Sequence, residues 1–396
     1  MRRKVIITWN LSSYHGWGIY GLNLALHWAS DPDLQLACAH PIKPQQISVH
    51  PLNALVLRPF FRDTAELVKS FEGNAGQAAQ SSGPVLLSLD DDGTATKAAY
   101  EVMVTGKPTV GVGFFVTSQL TPQVLERLRV MDLVVAGCAW NEQLLRANGV
   151  EHVTTVLQGI DPALFHPAPR LGLLGDRFLV FSGGKLERRK GQDIVLAAFR
   201  IFAERHRDAV LVTAWHSPWP EVARSLDVSG LAAPVAFREN RDVDVVRWAQ
   251  ASGVPAGQVI DLGLVPNAAM PPLLREMDVA LFPNRCEPGT NLVAMEAMAC
   301  GVPTILSANS GHLDLIEAQN SYPLTRQAAL PGAEAGLEGL AGWGESDVEE
   351  ILAALEAAYA DRAEARKRGL KGAGTLAKLP WSRTAAEMKA AIMPLV

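Results

Sequence analysis

Residues 285–303 read RCEPGTNLVAMEAMACGVP, and the order of residue types in this stretch decides the fold prediction. The apolar run just before it, 279–282, is typical of a buried strand. A helix is predicted from about Asn291, and Gly301 lies where glycine commonly ends a helix. Free N–H groups at a helix start suit a diphosphate, and an anionic contact at an exposed helix start contributes about 0.3–1 kcal/mol. The stretch therefore predicts a strand, a loop and a phosphate-binding helix.

Two carboxylates accompany this helix start. Glu287 is on the loop and Glu296 is on the helix, with eight residues between them. A carboxylate on the helix can accept hydrogen bonds from ribose hydroxyls, and one on the loop can accept them from the hydroxyls of a sugar. We therefore predict that both glutamates contact a ligand that carries hydroxyl groups.

A second motif, FSGGKLERRKGQD at residues 181–193, again combines a strand, a glycine turn, a basic cluster and a helix. A departing diphosphate develops negative charge, so two fixed cations stabilise the transition state more than the ground state. We predict Lys185 and Lys190 as these cations, with Arg188 or Arg189 as the alternative partner. A solvated helix start is the other common reason for such a cluster.

Short apolar runs alternate with helical patterns along the chain, which is the rhythm of a mostly parallel sheet covered by helices. The predicted strands are 4–9, 34–39, 54–57, 85–89, 109–113, 133–136, 153–157, 177–182, 210–214, 259–262, 279–282 and 304–306. Residues 165–172 are rich in proline and glycine, so the linker is predicted there. The sequence thus predicts an α/β protein with two Rossmann-like halves.

The composition limits the classes of protein and partner. The chain has 396 residues, for which two domains are expected. A net charge of −5 without a long basic run argues against a nucleic-acid partner. The four cysteines lack the spacing of a metal site or a disulfide framework and indicate a reducing compartment. No run reaches the roughly 18 apolar residues that span a bilayer, and no export signal is evident, so we expect a cytoplasmic protein with at most peripheral membrane contact.

The stretch at 285–303 resembles the ExxxxxxxE signature of retaining family 4 glycosyltransferases (glycosyl transferases group 1), which have the GT-B fold. Their usual run is close to E-G-F-G-L-V-x-x-E-A-M-A-x-G-x-P, one residue shorter between the glutamates. Segment 181–193 is similar to the family's G-R-x-x-x-x-K-G, with Lys185 in the Arg position and Lys190 in the Lys position. Further pieces resemble family segments in the same order: LQGID at 157–161, VIDLGLVP at 259–266 and SGH at 310–312.

The resemblance implies two doubly wound, Rossmann-like domains that face a central cleft. It implies an acceptor domain over 1–168, a nucleotide-sugar donor domain over 169–375 and a helix over 376–396 that returns to the first domain. The implied reaction is metal-independent transfer, with retention, of a hexose-type sugar from a UDP- or GDP-linked donor to an acceptor hydroxyl in glycan or glycoconjugate biosynthesis. No cofactor is implied besides the nucleotide sugar, and a sugar, a lipid-linked glycan and a protein stay open as acceptors. The implied catalytic residues are Lys185, Lys190 and Glu287, and the implied donor-binding residues are Gly16, Gly18, Gly184, Thr290, Asn291, Leu292 and Glu296.

The segment GWGIYG at 16–21 fits the G-x-G-x-x-G pattern of dinucleotide-binding proteins. In that fingerprint the first glycine follows the strand almost directly, whereas residues 10–15 intervene here, and no acidic residue ends the second strand near His40. We therefore do not expect this glycine loop to bind NAD or a flavin. The resemblance to GT-B transferases implies that it faces the cleft near the diphosphate and the acceptor.

Two alternatives to the GT-B transferase stay open. Asp90, Asp91 and Asp92 follow a predicted strand and resemble the metal-binding D-x-D of GT-A transferases, although three aspartates there are also common in a solvated loop, in an N-cap or in contact with acceptor hydroxyls. The other alternative is a sugar-nucleotide-binding subunit without catalysis, which the extra residue within 288–291 and Lys185 would fit.

One family feature has no match. Many family 4 members have a histidine that binds the donor sugar after the strand equivalent to 109–113, whereas this chain continues FFVT at 114–117. Either Thr117 or Ser118 holds the sugar, or the pocket suits a sugar without that hydroxyl. His15 and His216 are interpreted as isolated histidines with a structural or solvent-facing role.

Overall fold

The computed structural model of the protein describes residues 2–330, 340 and 342–396. The described backbone contains two six-stranded sheets, one in each half of the chain, and their strands pair in parallel. Central strands such as Val85–Leu89 and Thr109–Gly113 are buried at every residue. This is the pattern of a parallel sheet with helices on both faces, and it confirms the predicted α/β class.

The N-terminal half begins with a strand and ends with the last strand of the first sheet. Its strands are β1 (Arg3–Ile7), β2 (Leu34–Cys38), β3 (Ala78–Gln80), β4 (Val85–Leu89), β5 (Met103–Thr105), β6 (Thr109–Gly113), β7 (Leu133–Ala136) and β8 (Val153–Thr155). Its helices are α1 (Gly16–Trp28), α2 (Pro51–Val56), α3 (Arg58–Phe71), α4 (Pro122–Arg129) and α5 (Ala139–Ala147). The sheet order is β2-β1-β4-β6-β7-β8, so the winding reverses between β1 and β4.

The C-terminal half repeats this plan. Its strands are β9 (Phe178–Gly184), β10 (Ala209–Trp215), β11 (Val259–Asp261), β12 (Val279–Phe282), β13 (Thr304–Ser307), β14 (Tyr322–Leu324), β15 (Gln327–Ala329) and β16 (Gly344–Ser346). Its helices are α6 (Gln192–Arg205), α7 (Val245–Ala251), α8 (Met270–Leu274), α9 (Leu292–Ala299), α10 (Val348–Ala360), α11 (Arg362–Leu376) and α12 (Trp381–Ile392). The sheet order is β11-β10-β9-β12-β13-β14, the Rossmann order, with its reversal between β9 and β12.

The reversal in the second sheet determines where a ligand is expected. Open α/β sheets bind ligands outside the carboxyl ends of their strands at this point. Strand β9 leads directly into the basic motif at 181–193, and β12 leads into the stretch at 285–303. The two sequence motifs therefore lie side by side at the expected position.

The prediction of a strand at 54–57 is wrong, because these residues belong to α2 and its C-terminal end. Pro51 occupies the first helical turn, where its fixed φ favours a helix. The Nδ1 atom of His50 accepts a hydrogen bond from the backbone N–H of Leu52 at 3.2 Å, which caps the helix start. A proline start and a capped first turn override the short apolar run.

The last helix, α12, packs against α1 of the N-terminal half. The indole Nε1 of Trp28 donates to the carbonyl of Ala385 at 3.2 Å, and the hydroxyl of Thr384 donates to the carbonyl of Leu157 at 2.9 Å. Trp381 N–H donates to the carbonyl of Ile160 at 3.1 Å. The chain thus crosses from the first half to the second and back again. The exact domain boundaries at 168 and 375 stay a prediction.

Two observations concern the environment of the chain. All four cysteines are buried and free. Among the described helices, none is long and apolar enough to cross a membrane.

The return of α12 depends on a glycine at the crossing. A Cβ atom added to Gly159 would lie 2.6 Å from the backbone nitrogen of Trp381, so Gly159→Ala is expected to lower the melting temperature through a loss of about 1–3 kcal/mol. Gly374→Ala is the control, because nothing lies within 4 Å of its added Cβ and alanine favours the helix α11. Equal melting temperatures for the two variants in a thermal unfolding experiment would contradict the close approach.

Candidate functional site

The side chain of Glu287 is at the centre of the loop that follows β12. It is 3% exposed, and its Oε1 atom accepts hydrogen bonds from Asn284 Nδ2 at 2.6 Å, from Arg189 Nη1 at 3.0 Å and from Lys190 Nζ. Burial alone would raise the pKa of Glu287, but the charges of Lys190 and Arg189 outweigh burial and lower the pKa to about 2. Glu287 is therefore an ionised acceptor at neutral pH.

The basic motif extends this contact into an ion-pair chain of five residues: Lys185, Glu187, Arg189, Glu287 and Lys190. Lys185 Nζ lies 3.0 Å from Glu187 Oε2, and Arg189 Nη2 lies 2.6 Å from Glu187 Oε1. Burial raises the pKa of the Glu187 carboxyl, but Arg189 and Lys185 lower it by more, so this group also stays ionised. Three cations therefore face two carboxylates, which leaves the ion-pair chain with a positive excess.

Lys185, Arg189 and Lys190 make different contacts, and which of the basic residues act on a ligand stays a prediction. Arg189, the alternative to Lys185 in the sequence, shares Glu287 with Lys190, whereas Lys185 pairs with Glu187 and lies over the ring of Trp219 at 5.1 Å. The backbone of Gly184 has a φ of 127°, and its added Cβ would lie 3.8 Å from Lys190 Cδ. Gly184 thus places the end of β9 next to the side chain of Lys190.

A buried ion pair joins the loop after β12 to the basic motif at 181–193. Arg285 Nη1 and Nη2 donate to the two carboxylate oxygens of Asp193 at 2.8 and 2.6 Å, and both side chains are fully buried. Nη1 of Arg285 also donates to the carbonyl of Arg188 at 2.9 Å, and its Nε donates to Glu345 at 2.8 Å. Nothing in the sequence motifs marks this pair, because Arg285 and Asp193 lie in two different motifs.

The extra residue of the signature is accommodated at the start of α9. Asn291 has φ 60° and ψ 83°, a left-handed conformation that asparagine tolerates better than most residues, and α9 begins at Leu292. Its Nδ2 lies 3.1 Å from Nε2 of His312, whose pKa is lowered to about 4 by burial. The amide therefore donates to a neutral imidazole. The side chain of Thr290 also has a partner within the protein, because its hydroxyl donates to Met295 Sδ at 2.9 Å.

The glycine turn at 310–312 holds the Glu287 loop in place. Gly311 N–H donates to the carbonyl of Glu287 at 2.9 Å, and Glu287 N–H donates to Ser310 Oγ at 2.7 Å. A Cβ atom at Gly311 would lie 1.7 Å from the carbonyl oxygen of Gly289. Only glycine fits at this position, which explains the small-residue turn that the sequence showed.

Glu296 lies deeper, on α9, and its environment differs from that of Glu287. Burial raises its pKa to about 8, although Asn267 Nδ2 donates a hydrogen bond to its Oε1 atom at 2.5 Å. Asn267 also donates its backbone N–H to the carbonyl of Ser13 at 2.7 Å, across the cleft. Glu296 is therefore largely protonated at neutral pH and linked through Asn267 to the glycine loop of the first half.

The glycine loop and the segment after β6 form the opposite wall of the cleft. A Cβ added to Gly16 would lie 3.7 Å from Leu292 Cδ1, so Gly16 faces the start of α9. Gly18 instead lets α1 pack on the backbone of Ser12, since its added Cβ would lie 2.2 Å from that nitrogen. Phe114, after β6, makes an edge contact with Trp17 at 4.9 Å between ring centroids. The wall is thus apolar where the family has a histidine.

The three aspartates after β4 form a turn. Asp92 accepts from Thr94 N–H at 2.8 Å and from Arg127 Nη1 at 2.9 Å, and Asp91 accepts from Val116 N–H at 3.1 Å. Within the described ranges, no group of three or more His, Cys, Asp or Glu side chains is placed to hold a metal ion. The GT-A alternative is wrong as a statement of fold, because the two parallel sheets are the GT-B arrangement.

Comparisons with known proteins agree with this geometry. A family model described as "Family 4 Glycosyltransferase in conflict systems" matches residues 138–388, more than half of the chain. D-inositol 3-phosphate glycosyltransferase 1 of Catenulispora acidiphila is 29% identical over 189 residues, which are 46% of this chain and 42% of that protein. The match therefore spans less than half the length of this curated relative.

Solved structures show the fold. Sucrose-phosphate synthase from Thermosynechococcus elongatus superposes with a TM-score of 0.62 at 17% identity, over 98% of both chains. HepE from Anabaena, solved with UDP and glucose, superposes with a TM-score of 0.62 at 13% identity, over 98% of this chain and 99% of that one. These likenesses confirm the predicted GT-B fold, with two Rossmann-like domains that face a cleft.

The raised pKa of Glu296 predicts a pH dependence of stability. The folded state binds a proton at Glu296 between about pH 4.5 and about pH 8, where the unfolded state has released it, so stability falls as pH rises through this window by at most about 1.4 kcal/mol per pH unit. Glu296→Gln mimics the protonated group and removes this slope. Its melting temperature relative to wild type should therefore rise from pH 5 to pH 8. Exposed Glu204→Gln is the control, and parallel curves for Glu296→Gln and wild type would refute the assignment.

Proposed function

We propose that this chain moves a sugar from a nucleoside-diphosphate donor to an acceptor hydroxyl. The chain belongs to the family described as "Family 4 Glycosyltransferase in conflict systems", and the stretch at 285–303 predicted family 4. The observation that carries the proposal is the ion-pair chain at the reversal of the second sheet, directly before the start of α9. Cations, a helix start and an ionised glutamate meet there, which is what a diphosphate joined to a sugar requires.

The donor would exchange partners with the ion-pair chain. Arg189 and Lys190 share one carboxylate oxygen, so a diphosphate that enters beside them can take over part of their charge. Glu287 is then free to accept hydrogen bonds from sugar hydroxyls while it stays ionised. When the bond to the sugar breaks, the negative charge that develops on the leaving diphosphate is stabilised by cations already in place.

We further propose a UDP- or GDP-linked hexose as the donor, transfer with retention and no requirement for a metal. HepE was solved with UDP and glucose, and a trehalose-6-phosphate synthase of TM-score 0.60 and 13% identity was solved in work on glycosyl transfer with retention. In the proposed reaction the acceptor hydroxyl attacks from the face of the leaving group and gives its proton to the departing phosphate. Positioning and electrostatics then supply most of the rate enhancement.

A sugar-nucleotide-binding subunit without catalysis is the second candidate. The observation in its favour is that Glu287 is held by three donors, from Asn284, Arg189 and Lys190. Turnover separates the two candidates, because only the enzyme releases nucleoside diphosphate from its sugar donor.

We also propose peripheral contact with an anionic membrane through a surface of the N-terminal half. Leu52, Leu55 and Val56 on one side of α2 are 64%, 52% and 45% exposed. They belong to residues 40–62, which contain three Lys or Arg residues and no acidic residue in a chain of net charge −5. This segment is anchored to the glycine loop, since Ser13 N–H donates to the carbonyl of Gln46 at 2.8 Å. Exposed leucines beside basic residues fit an anionic lipid surface.

The donor is tested by a thermal-shift panel of UDP, GDP and ADP with and without EDTA. One nucleotide should raise the melting temperature, because a ligand at about 100 times its Kd stabilises the native state by about 2.7 kcal/mol. The shift should be insensitive to EDTA and lost in Lys190→Met, while the exposed control Lys378→Met keeps it. A panel without shifts, or a shift that needs a metal, would overturn the proposal. Release of UDP or GDP from the corresponding sugar, with retained anomeric configuration by NMR, then tests transfer.

The membrane contact is tested by sedimentation with vesicles. Wild type should pellet with phosphatidylglycerol vesicles and not with phosphatidylcholine vesicles, and the double variant Leu52→Ser, Leu55→Ser should stay in the supernatant. Val130→Ser is the control, because Val130 is 75% exposed but lies outside this segment. Equal sedimentation of wild type and the double variant would exclude α2 as the contact.

A further inference from the structure

His15 and His216, which the sequence suggests to be isolated, lie opposite each other across the cleft. Their ring centroids are 6.3 Å apart and their planes differ by 15°. His15 is the residue before α1, and His216 directly follows β10. Both rings are half-buried, and within the described residues neither ring nitrogen has a hydrogen-bond partner. The two histidines are therefore neighbours in space, and their interpretation as structural or solvent-facing stays a prediction.

The two rings belong to the two elements beside the diphosphate position of the proposed function. His15 precedes the exposed Gly16, where α1 starts with no acidic residue in its first turn. His216 N–H donates to the carbonyl of Gly184 at 3.4 Å, at the glycine turn before Lys185. One ring thus belongs to the glycine loop of the first half, and the other belongs to the strand beside the basic motif.

The charged groups near the pair are distributed unevenly. Burial lowers the pKa of His15, and the charge of His216 lowers it further. On the other side, His216 lines a cavity of about 90 Å³ together with Arg238, Asp242 and Asp261. Asp261 accepts a hydrogen bond from Thr213 Oγ1 at 2.7 Å. An incoming anion beside His15 would favour its protonated form, because a nearby negative charge raises the pKa of an imidazole.

We propose that His15 and His216 form a clamp that closes on the diphosphate of the donor and takes up a proton from solvent as the anion enters. The clamp rests on the proposed function, since it needs a diphosphate in the cleft. Without the anion, two charged imidazoles at this distance would repel each other, which disfavours charge on both rings at once. With the anion between them, an imidazolium N–H donates to phosphate oxygen, and a charge-assisted bond of this kind is about twice as strong as a neutral one.

Uptake of this proton would affect both donor binding and departure of the leaving group. It adds positive charge beside the diphosphate, in addition to that of Arg189 and Lys190, and the leaving group needs this charge. Because the two rings come from different halves, the same event links donor binding to closure of the cleft. The pair would then bind the anion and also couple its binding to closure of the cleft.

The test is calorimetric titration with UDP or GDP at pH 7.5 in two buffers of different ionisation enthalpy. Wild type should take up about one proton or less per nucleotide, as expected for a histidine that titrates near neutrality. Uridine or guanosine, which lack the diphosphate, should cause no uptake. His15→Gln and His216→Gln should each abolish the uptake and weaken nucleotide binding roughly tenfold. His166→Gln, an exposed histidine outside the cleft, is the control and should behave as wild type.

The possible results of the titration test the clamp and the proposed function separately. Tight nucleotide binding without proton uptake, or uptake that persists in both glutamine variants, overturns the clamp and leaves the proposed function standing. Absence of binding by UDP and by GDP removes the proposed donor and the clamp with it. Uptake with the nucleoside alone would place the protonation at the base and also overturn the clamp.

Discussion

The ion pair between Arg285 and Asp193 is the constraint on which the candidate site depends. Both side chains are fully buried, and removal of one partner from such a pair leaves an uncompensated charge at a cost of about 3–5 kcal/mol. The pair joins the loop after β12 to the start of α6. The backbone N–H of Arg285 also donates to the carbonyl of Arg189 at 2.7 Å. The cations of the ion-pair chain are therefore positioned by an interaction between two fully buried side chains.

Much of the fold follows from local pattern. Strands β4, β6, β7 and β12 have the predicted bounds, because each is a short apolar run between polar or glycine-rich segments. The start of α9 was predicted within one residue, because Gly301 and the loop before the helix mark both ends. The wrong prediction of a strand at 54–57 also came from local pattern, because a four-residue apolar run occurs both in strands and in capped helical turns.

The site was less predictable, because its key distances join residues far apart in the chain. Lys185 and Arg189 both carry a positive charge, and only the turn at 188–190 decides that Arg189 meets Glu287. His15 and His216 lie in different halves of the chain, so no spacing rule brings them together. The left-handed conformation of Asn291 was not predicted, because the sequence showed only that one extra residue lies within 288–291. The catalytic roles of Lys185, Lys190 and Glu287 stay predictions.

The double crossing of the chain has a mechanical consequence. Ile160 N–H donates to the carbonyl of Leu379 at 2.9 Å, and Trp381 N–H donates to the carbonyl of Ile160 at 3.1 Å, so the outgoing and returning segments are bonded to each other. Two bodies joined at one point can swivel in any direction, whereas two adjacent tethers leave mainly rotation about a single axis. Opening of the cleft would then be a rotation of one half relative to the other about an axis near Ile160. The two halves would separate most at the end of the cleft that is farthest from Ile160.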